Sequence, residues 1–267
     1  MNKKIINFWF LAGLTLLAPT PAQTQPARPG TADHQRKSDQ LSAAVPPLTE
    51  STAARGQEVI EHVDRTLAFP SGGTLQLHNF SGDVHITGTS GKDLVIHAVR
   101  RAERERLDHI ELDIQASSST VMIDANKRDP AWKEHNNNNV VETYFDIKVP
   151  AGAKLEVDAF SSNLDIKGVS GAERLKTFSG NIAVDAAAAG TTPRLVAETF
   201  SGGIRVRLAD SVKGDVNFES FSGSFDTDLP LTPRSAGHKR GSSALTAPGG
   251  DRPLTFTTWS GQVHVTK

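Results

Sequence analysis

From about Gln57 to the C-terminus the chain consists of short runs that alternate apolar and polar residues, separated by Gly, Pro and Ser. A period of two marks a strand with one buried face, and no long stretch keeps a helical period. The one candidate for a short helix or charged connector is "RRAERERLDHI".

Six runs share a wording: "HNFSGDVHIT", "DAFSSNLDIK", "KTFSGNIAVD", "ETFSGGIRVRL", "ESFSGSFDTD" and "TTWSGQVHVT". Each reads as two strands meeting at a Ser-Gly corner, with apolar positions such as Leu75, Leu77, Phe80, Val84 and Ile86 in the first, or Leu155, Val157, Phe160, Leu164 and Ile166 in the second. This reading places the aromatic of every copy (Phe80, Phe160, Phe178, Phe200, Phe221, Trp259) in the core. Truncating Phe200 would then cost roughly 3–5 kcal/mol. Self-similarity at roughly 20 residues predicts a solenoid, because each unit buries its apolar face only by stacking on its neighbours. The last copy is set apart by "TPRSAGHKRGSSALTAPGGDR", which reads as an inserted loop without core residues.

A longer echo matches residues 67–91 to residues 147–171 without a gap, pairing Pro70 with Pro150, Leu75 with Leu155 and Phe80 with Phe160. The first coil has a copy. Between the two copies, "LVIHAVRR", "HIELDIQASSSTVMIDANK" and "VVETYFDIKV" read as strands and a hairpin that cover the N-terminal end of the stack, with Asn136–Asn139 at a hairpin tip. The fold class expected is all-β, a repetitive, β-helix-like β-solenoid with added β hairpin elements.

Stacking would turn like positions into ladders. The corner serines Ser81, Ser161, Ser179, Ser201, Ser222 and Ser260 then read as small hydroxyls bonding to turn backbone, with Ser162 replacing the corner glycine in one copy. A nucleophile occurs once and needs a G-x-S-x-G elbow, which is absent here. Outward residues give columns Lys167, Asp185, Arg207, Asp228 and Asp165, Ala183, Arg205, Asp226, in which opposite charges answer one another. A glycoside-cleaving β-helix needs convergent carboxylates instead. His78, His85, His97 and His264 show no zinc-site spacing and read as surface histidines. The sequence therefore nominates no catalytic residue, no metal ligand and no cofactor.

Composition removes further classes. Twenty-nine Lys and Arg balance thirty Asp and Glu, which leaves no charge excess to hold nucleic acid; "RVRL", Lys213 and "HKRG" read as solvated basic spots. With no cysteine there is no disulfide or thiolate site. Residues 1–22 have two lysines, an apolar run too short to span a bilayer, and small residues at Thr20 and Ala22, which predicts a signal peptide. Residues 23–56, rich in Pro, Ala, Ser, Thr and Gln, read as a flexible linker. Residues 57–267 form the repeat domain, exported to the periplasm or secreted, with no transmembrane span in the mature chain.

The opening "FPSGGTLQLHNFSGDVHITG", the midpoint "VPAGAKLEVDAFSSNLDIKGVSG" and the serial units "TFSGNIAV", "TFSGGIRV" and "SFSGSFDT" together resemble a bacterial exported β-strand-repeat family of unknown function that carries an adhesin label. The resemblance implies a β-solenoid without known catalytic activity and supplies no functional residues. The function expected is a non-enzymatic binding or scaffolding module of the cell envelope, its partner a glycan or protein. A carbohydrate-active β-helix enzyme and a sensor of envelope stress are the alternatives.

Overall fold

The computed structural model describes residues 58–132, 140–190, 194–209, 214–229, 232–234, 242–247 and 253–267. The expected signal peptide, linker and Asn136–Asn139 tip lie outside them. The first part of the described chain runs through β1 (Glu58–Ala68), β2 (Thr74–Ser81), β3 (Val84–Thr89), β4 (Asp93–Glu103), helix α1 (Arg104–His109), β5 (Ile110–Ala116), β6 (Thr120–Arg128) and β7 (Glu142–Pro150). The repeats follow as strand pairs: β8 (Lys154–Ser161) with β9 (Leu164–Lys167), β10 (Glu173–Ser179) with β11 (Ile182–Asp185), β12 (Leu195–Ser201) with β13 (Ile204–Arg207), and β14 (Gly214–Ser220) with β15 (Ser224–Thr227). Then come β16 (Thr232–Arg234), β17 (Ser242–Ala247) and the final pair, β18 (Leu254–Ser260) with β19 (Gln262–Thr266).

The fold is all-β, and the first strand of each repeat enters one sheet while the second enters the other. Among the described residues the larger sheet has the order β16-β17-β14-β18-β12-β10-β8-β2-β6-β5, and the smaller has β1-β4-β7-β3-β9-β11-β13-β19-β15. Repeat strands pair in parallel and in register, so Leu155, Glu173, Leu195 and Leu254 form one row, and Leu164, Ile182, Ile204 and Val263 another. Rows of this kind explain the repeated wording. Each apolar position packs on its own counterpart one strand away, and the inner faces of both sheets contribute to a single buried cluster.

The first coil stacks directly on its copy: Leu75 lies opposite Leu155 and Val84 opposite Leu164. The intervening segment provides strands beside that first coil. β6 joins β2 and β7 joins β3 in parallel, while β5, β4 and β1 add antiparallel strands at the margins. The charged connector forms α1, whose Leu107 packs with Ile110 and Val141 in a small second cluster.

Two expectations about order are corrected. Units do not stack strictly in sequence: β18 lies between β12 and β14, and β19 between β13 and β15. Burial accounts for the exchange. Leu254, Phe256, Val263 and Val265 are fully buried on the inside of the stack, whereas "SFDT" offers only partly buried Phe225 and Thr227 and takes the outer place. The insertion is also more than a loop, since β17 pairs antiparallel with β14 and β16 with β17, covering an edge that would otherwise be open.

Candidate functional site

In β2 the alternation runs unbroken to the corner. Leu75 and Leu77 are buried, so Asn79 is buried too and Phe80 emerges on the outer face. The same parity holds in the other repeats. Phe80, Phe160, Phe178, Phe200, Phe221 and Trp259 are all exposed, from 39% at Phe80 to 73% at Phe221, which corrects their expected place in the core.

These side chains form one continuous stack. Centroids lie 4.8 Å apart from Phe80 to Phe160, 4.9 Å from there to Phe178, 4.8 Å to Phe200, 5.6 Å to Trp259 and 4.4 Å from Trp259 to Phe221. Interplanar angles of 4° to 19° turn ring faces toward one another and leave the edges outward. At the inter-strand spacing of about 4.8 Å, six rings make an apolar stripe roughly 24 Å long. An ordered apolar stripe on an outer sheet face marks an interaction surface more readily than scattered exposed residues do.

Beside the stripe, two residues back along each strand, runs a polar row of His78, Asp158, Lys176, Glu198, Thr257 and Glu219, continued by Asp124 of β6. Stripe and row are the walls of a trough of about 870 Å³. Glu198 is held by Lys176 at 2.6 Å and lies 3.9 Å from Arg174. Asp158 and Glu219 have no ion-pair or hydrogen-bond partner among the described residues. A second cleft of about 370 Å³ lies among Glu58, Arg101, Glu103, Arg106 and Glu142, with Ala102 and Val140 as its apolar lining, and is mostly polar.

The corners are fixed by residues other than the serines. Buried Thr177 and Thr199 donate to the carbonyls of Ser162 and Gly180, and Asn79 Nδ2 donates to the carbonyls of Gly82 and Thr143. An amide ladder runs outside them: Asn163 Nδ2 donates to Asp83, Asn163 Oδ1 accepts from the Asn181 backbone N–H, and Asn181 Oδ1 accepts from the Gly203 N–H. The corner serines other than Ser81 are exposed, and only Ser222 among the six makes a side-chain bond, to the Trp259 carbonyl at 3.3 Å. Ser162 is accommodated because its Oγ accepts from Asn79 Nδ2 at 3.2 Å.

On the smaller sheet the charge ladder is present in part. Arg207 lies 2.5 Å from Asp185, which holds the Asp185 carboxyl below its usual range and the guanidinium above its own. Asp228 does not continue that row, because β19 intervenes and sets Thr266 beside Arg207. His85 and His264 pair with Asp165 and Asp226 at 3.6 and 2.9 Å, and His97 with Asp64 at 2.5 Å. His78 lines the trough. Among the described residues no three His, Asp or Glu side chains are grouped as a metal site.

One buried charge was overlooked by the apolar pattern. Glu173 occupies the row of Leu155 and Leu195, is 2% exposed, and neither carboxyl oxygen has a hydrogen-bond partner. Burial alone pushes its pKa up to about 8. The signal was visible: five residues before the corner aromatic, five copies carry Leu or Val and this one carries Glu.

The fold and the site together define a class: an all-β protein of two large repeat sheets with an aromatic stripe on an outer face. Residues 53–266 match the family described as Toastrack DUF4097, and the chain belongs to that family. A candidate cell adhesion protein from Clostridium sporogenes is similar in structure, with a TM-score of 0.53 and 12% identity over 77% of this chain and 99% of that one. A candidate adhesin from Bacteroides fragilis aligns with a TM-score of 0.27 and 11% identity over 78% and 97% of the two chains. No curated protein matches the chain significantly. No helix among the described residues is long and apolar enough to cross a membrane.

Proposed function

We propose that the chain is a non-enzymatic binding or scaffolding module of the bacterial cell envelope, which holds another envelope component in the trough along its aromatic stripe. The observation that carries this reading is the unbroken stack of six exposed rings. Each ring gives up the burial that a core place would provide, worth roughly 1.5–3 kcal/mol for a large apolar side chain. A structural role alone would be served by the buried leucine and valine rows. In this reading the two sheets are the walls of a β-solenoid, supported by the parallel, in-register pairing of successive repeats. Residues 1–22 direct export, residues 23–56 are the linker, and the repeat domain acts in the periplasm or beyond.

A carbohydrate-active enzyme receives less support. The trough carboxylate at the centre, Glu198, is neutralised by Lys176, and general acid–base cleavage of a glycan needs two acids facing one bond. The test is capture of fractionated envelope by the full chain and by a Phe178→Ser, Phe200→Ser variant, with glycan reducing ends assayed afterwards. Saturable capture lost in the variant, without new ends, supports the reading. Equal capture by both proteins, or new reducing ends, overturns it.

A further inference from the structure

The charge and shape of the trough narrow its occupant. A pyranose recognised by aromatic residues lies flat on a ring face, and here neighbouring rings at 4.4 to 5.6 Å close both faces of Phe160, Phe178, Phe200 and Trp259, so that ring neighbours leave one face uncovered only on Phe80 and Phe221 at the ends of the stack. What the stripe offers is a line of ring edges, whose hydrogens are the electropositive part of the aromatic quadrupole and make apolar contact with alkyl groups. The opposite wall is acidic: Asp124, Asp158, Glu198 and Glu219 face one lysine, Lys176, and one histidine, His78. Anionic lipids and acidic polysaccharides are disfavoured by that wall.

Resting on the binding role proposed for this trough, we propose that its occupant is an extended peptide segment with apolar side chains along one edge and basic side chains near the two ends of the other. The two rows, two residues apart along each strand, are about 7 Å apart at the backbone, so an extended segment lies over them, with one edge above the rings and the other above the carboxylates. Asp158 on β8 and Glu219 on β14 are four inter-strand steps apart, roughly 19 Å. An extended chain covers that distance in about six residues, so residues i and i+6 reach the two free carboxylates while i+1, i+3 and i+5 face the rings. The segment lies across the strands, whose own backbone groups are already paired, and it adds no strand to the sheet.

The experiment titrates the full chain with the peptide KLSLSLK, following Trp259 fluorescence against a Trp259→Phe control together with calorimetry. Saturable binding is expected, weakened several-fold by Asp158→Asn with Glu219→Gln and by added salt. Both substitutions are on exposed side chains and leave the core intact, and Asp146→Asn on the other sheet is the control for unrelated charge. ELSLSLE and KSSSSSK should fail to bind. Binding of ELSLSLE as tight as that of KLSLSLK, or no loss in the double variant, overturns the proposal. So does saturable binding of neutral oligosaccharide or phosphatidylcholine vesicles that KLSLSLK cannot displace. Stripe-dependent capture of an envelope fraction that KLSLSLK fails to displace would remove the peptide and leave the binding role; no capture at all would remove the binding role.

Discussion

Phe200 and Phe256 carry the same side chain in adjacent strands but occupy opposite faces of the sheet. Phe256 is fully buried, so Phe256→Ala should cost about 3–5 kcal/mol in urea melts. Phe200 is 43% exposed and stacked on two rings, and Phe200→Ala should cost about 1–2 kcal/mol, reflecting partial burial and lost ring contacts. The distinction was legible in the sequence. Counting by twos from Leu195 and Ala197 reaches Thr199 and passes over Phe200, yet an apolar residue at a corner invites assignment to the core. Glu173 makes the second residue-scale prediction. Its folded pKa of about 8 lies above the ordinary 4.5 that it regains on unfolding, so between those values the folded state holds more protons. The associated stability is complete below pH 4.5 and declines as pH rises to 8, by on the order of 5 kcal/mol in all. Glu173→Leu, which copies Leu155 and Leu195, should raise the melting temperature at pH 8 and flatten this decline. An unchanged pH profile would contradict the burial described.

At the scale of the element, the corner decides how closely repeats approach. Gly202 has φ +149°, and a Cβ there would lie 2.0 Å from the Gly180 carbonyl oxygen, which is itself fixed by Thr199. Gly202→Ala should therefore destabilise by roughly 2–4 kcal/mol, measured in denaturant, because neither backbone has room to withdraw. Ser201→Ala, beside it but exposed, should change stability by less than about 0.5 kcal/mol. Strand positions, the Gly requirement and the copied first coil were all readable from one chain. The hydrogen-bonding role of the corner was credited to the wrong column, because Ser is the repeated letter, whereas the buried Asn79, Thr177 and Thr199 vary in identity and conceal a shared task. Register within a repeat is local and repeats in the text; which repeat neighbours which is not.

For the whole molecule, the consequential feature is the place of the final repeat. In a solenoid stacked in sequence, removing the terminal unit trims one end and leaves the remainder paired. Here β18 and β19 join β12 and β13 to β14 and β15, so a chain ending before Pro253 loses an internal layer. Limited proteolysis of that truncated chain should cut within β14 and β15 while sparing strands β8 to β13. Equal protection of both segments would show that β14 can dock on β12 directly. The sequence could not announce this order, since the copies carry nearly the same corner and the preference rests on small differences in core fit between "SFDT" and "QVHVT". The arrangement also imposes a schedule on biosynthesis. β14 emerges roughly forty residues before the strand it must lie against, a wait of about 2–8 seconds at ordinary elongation rates, with Phe218 lacking a parallel neighbour throughout. Completion of this part of the stack therefore waits for the final repeat, and a chain interrupted before it is marked as unfinished by β15, which lacks its partner β19.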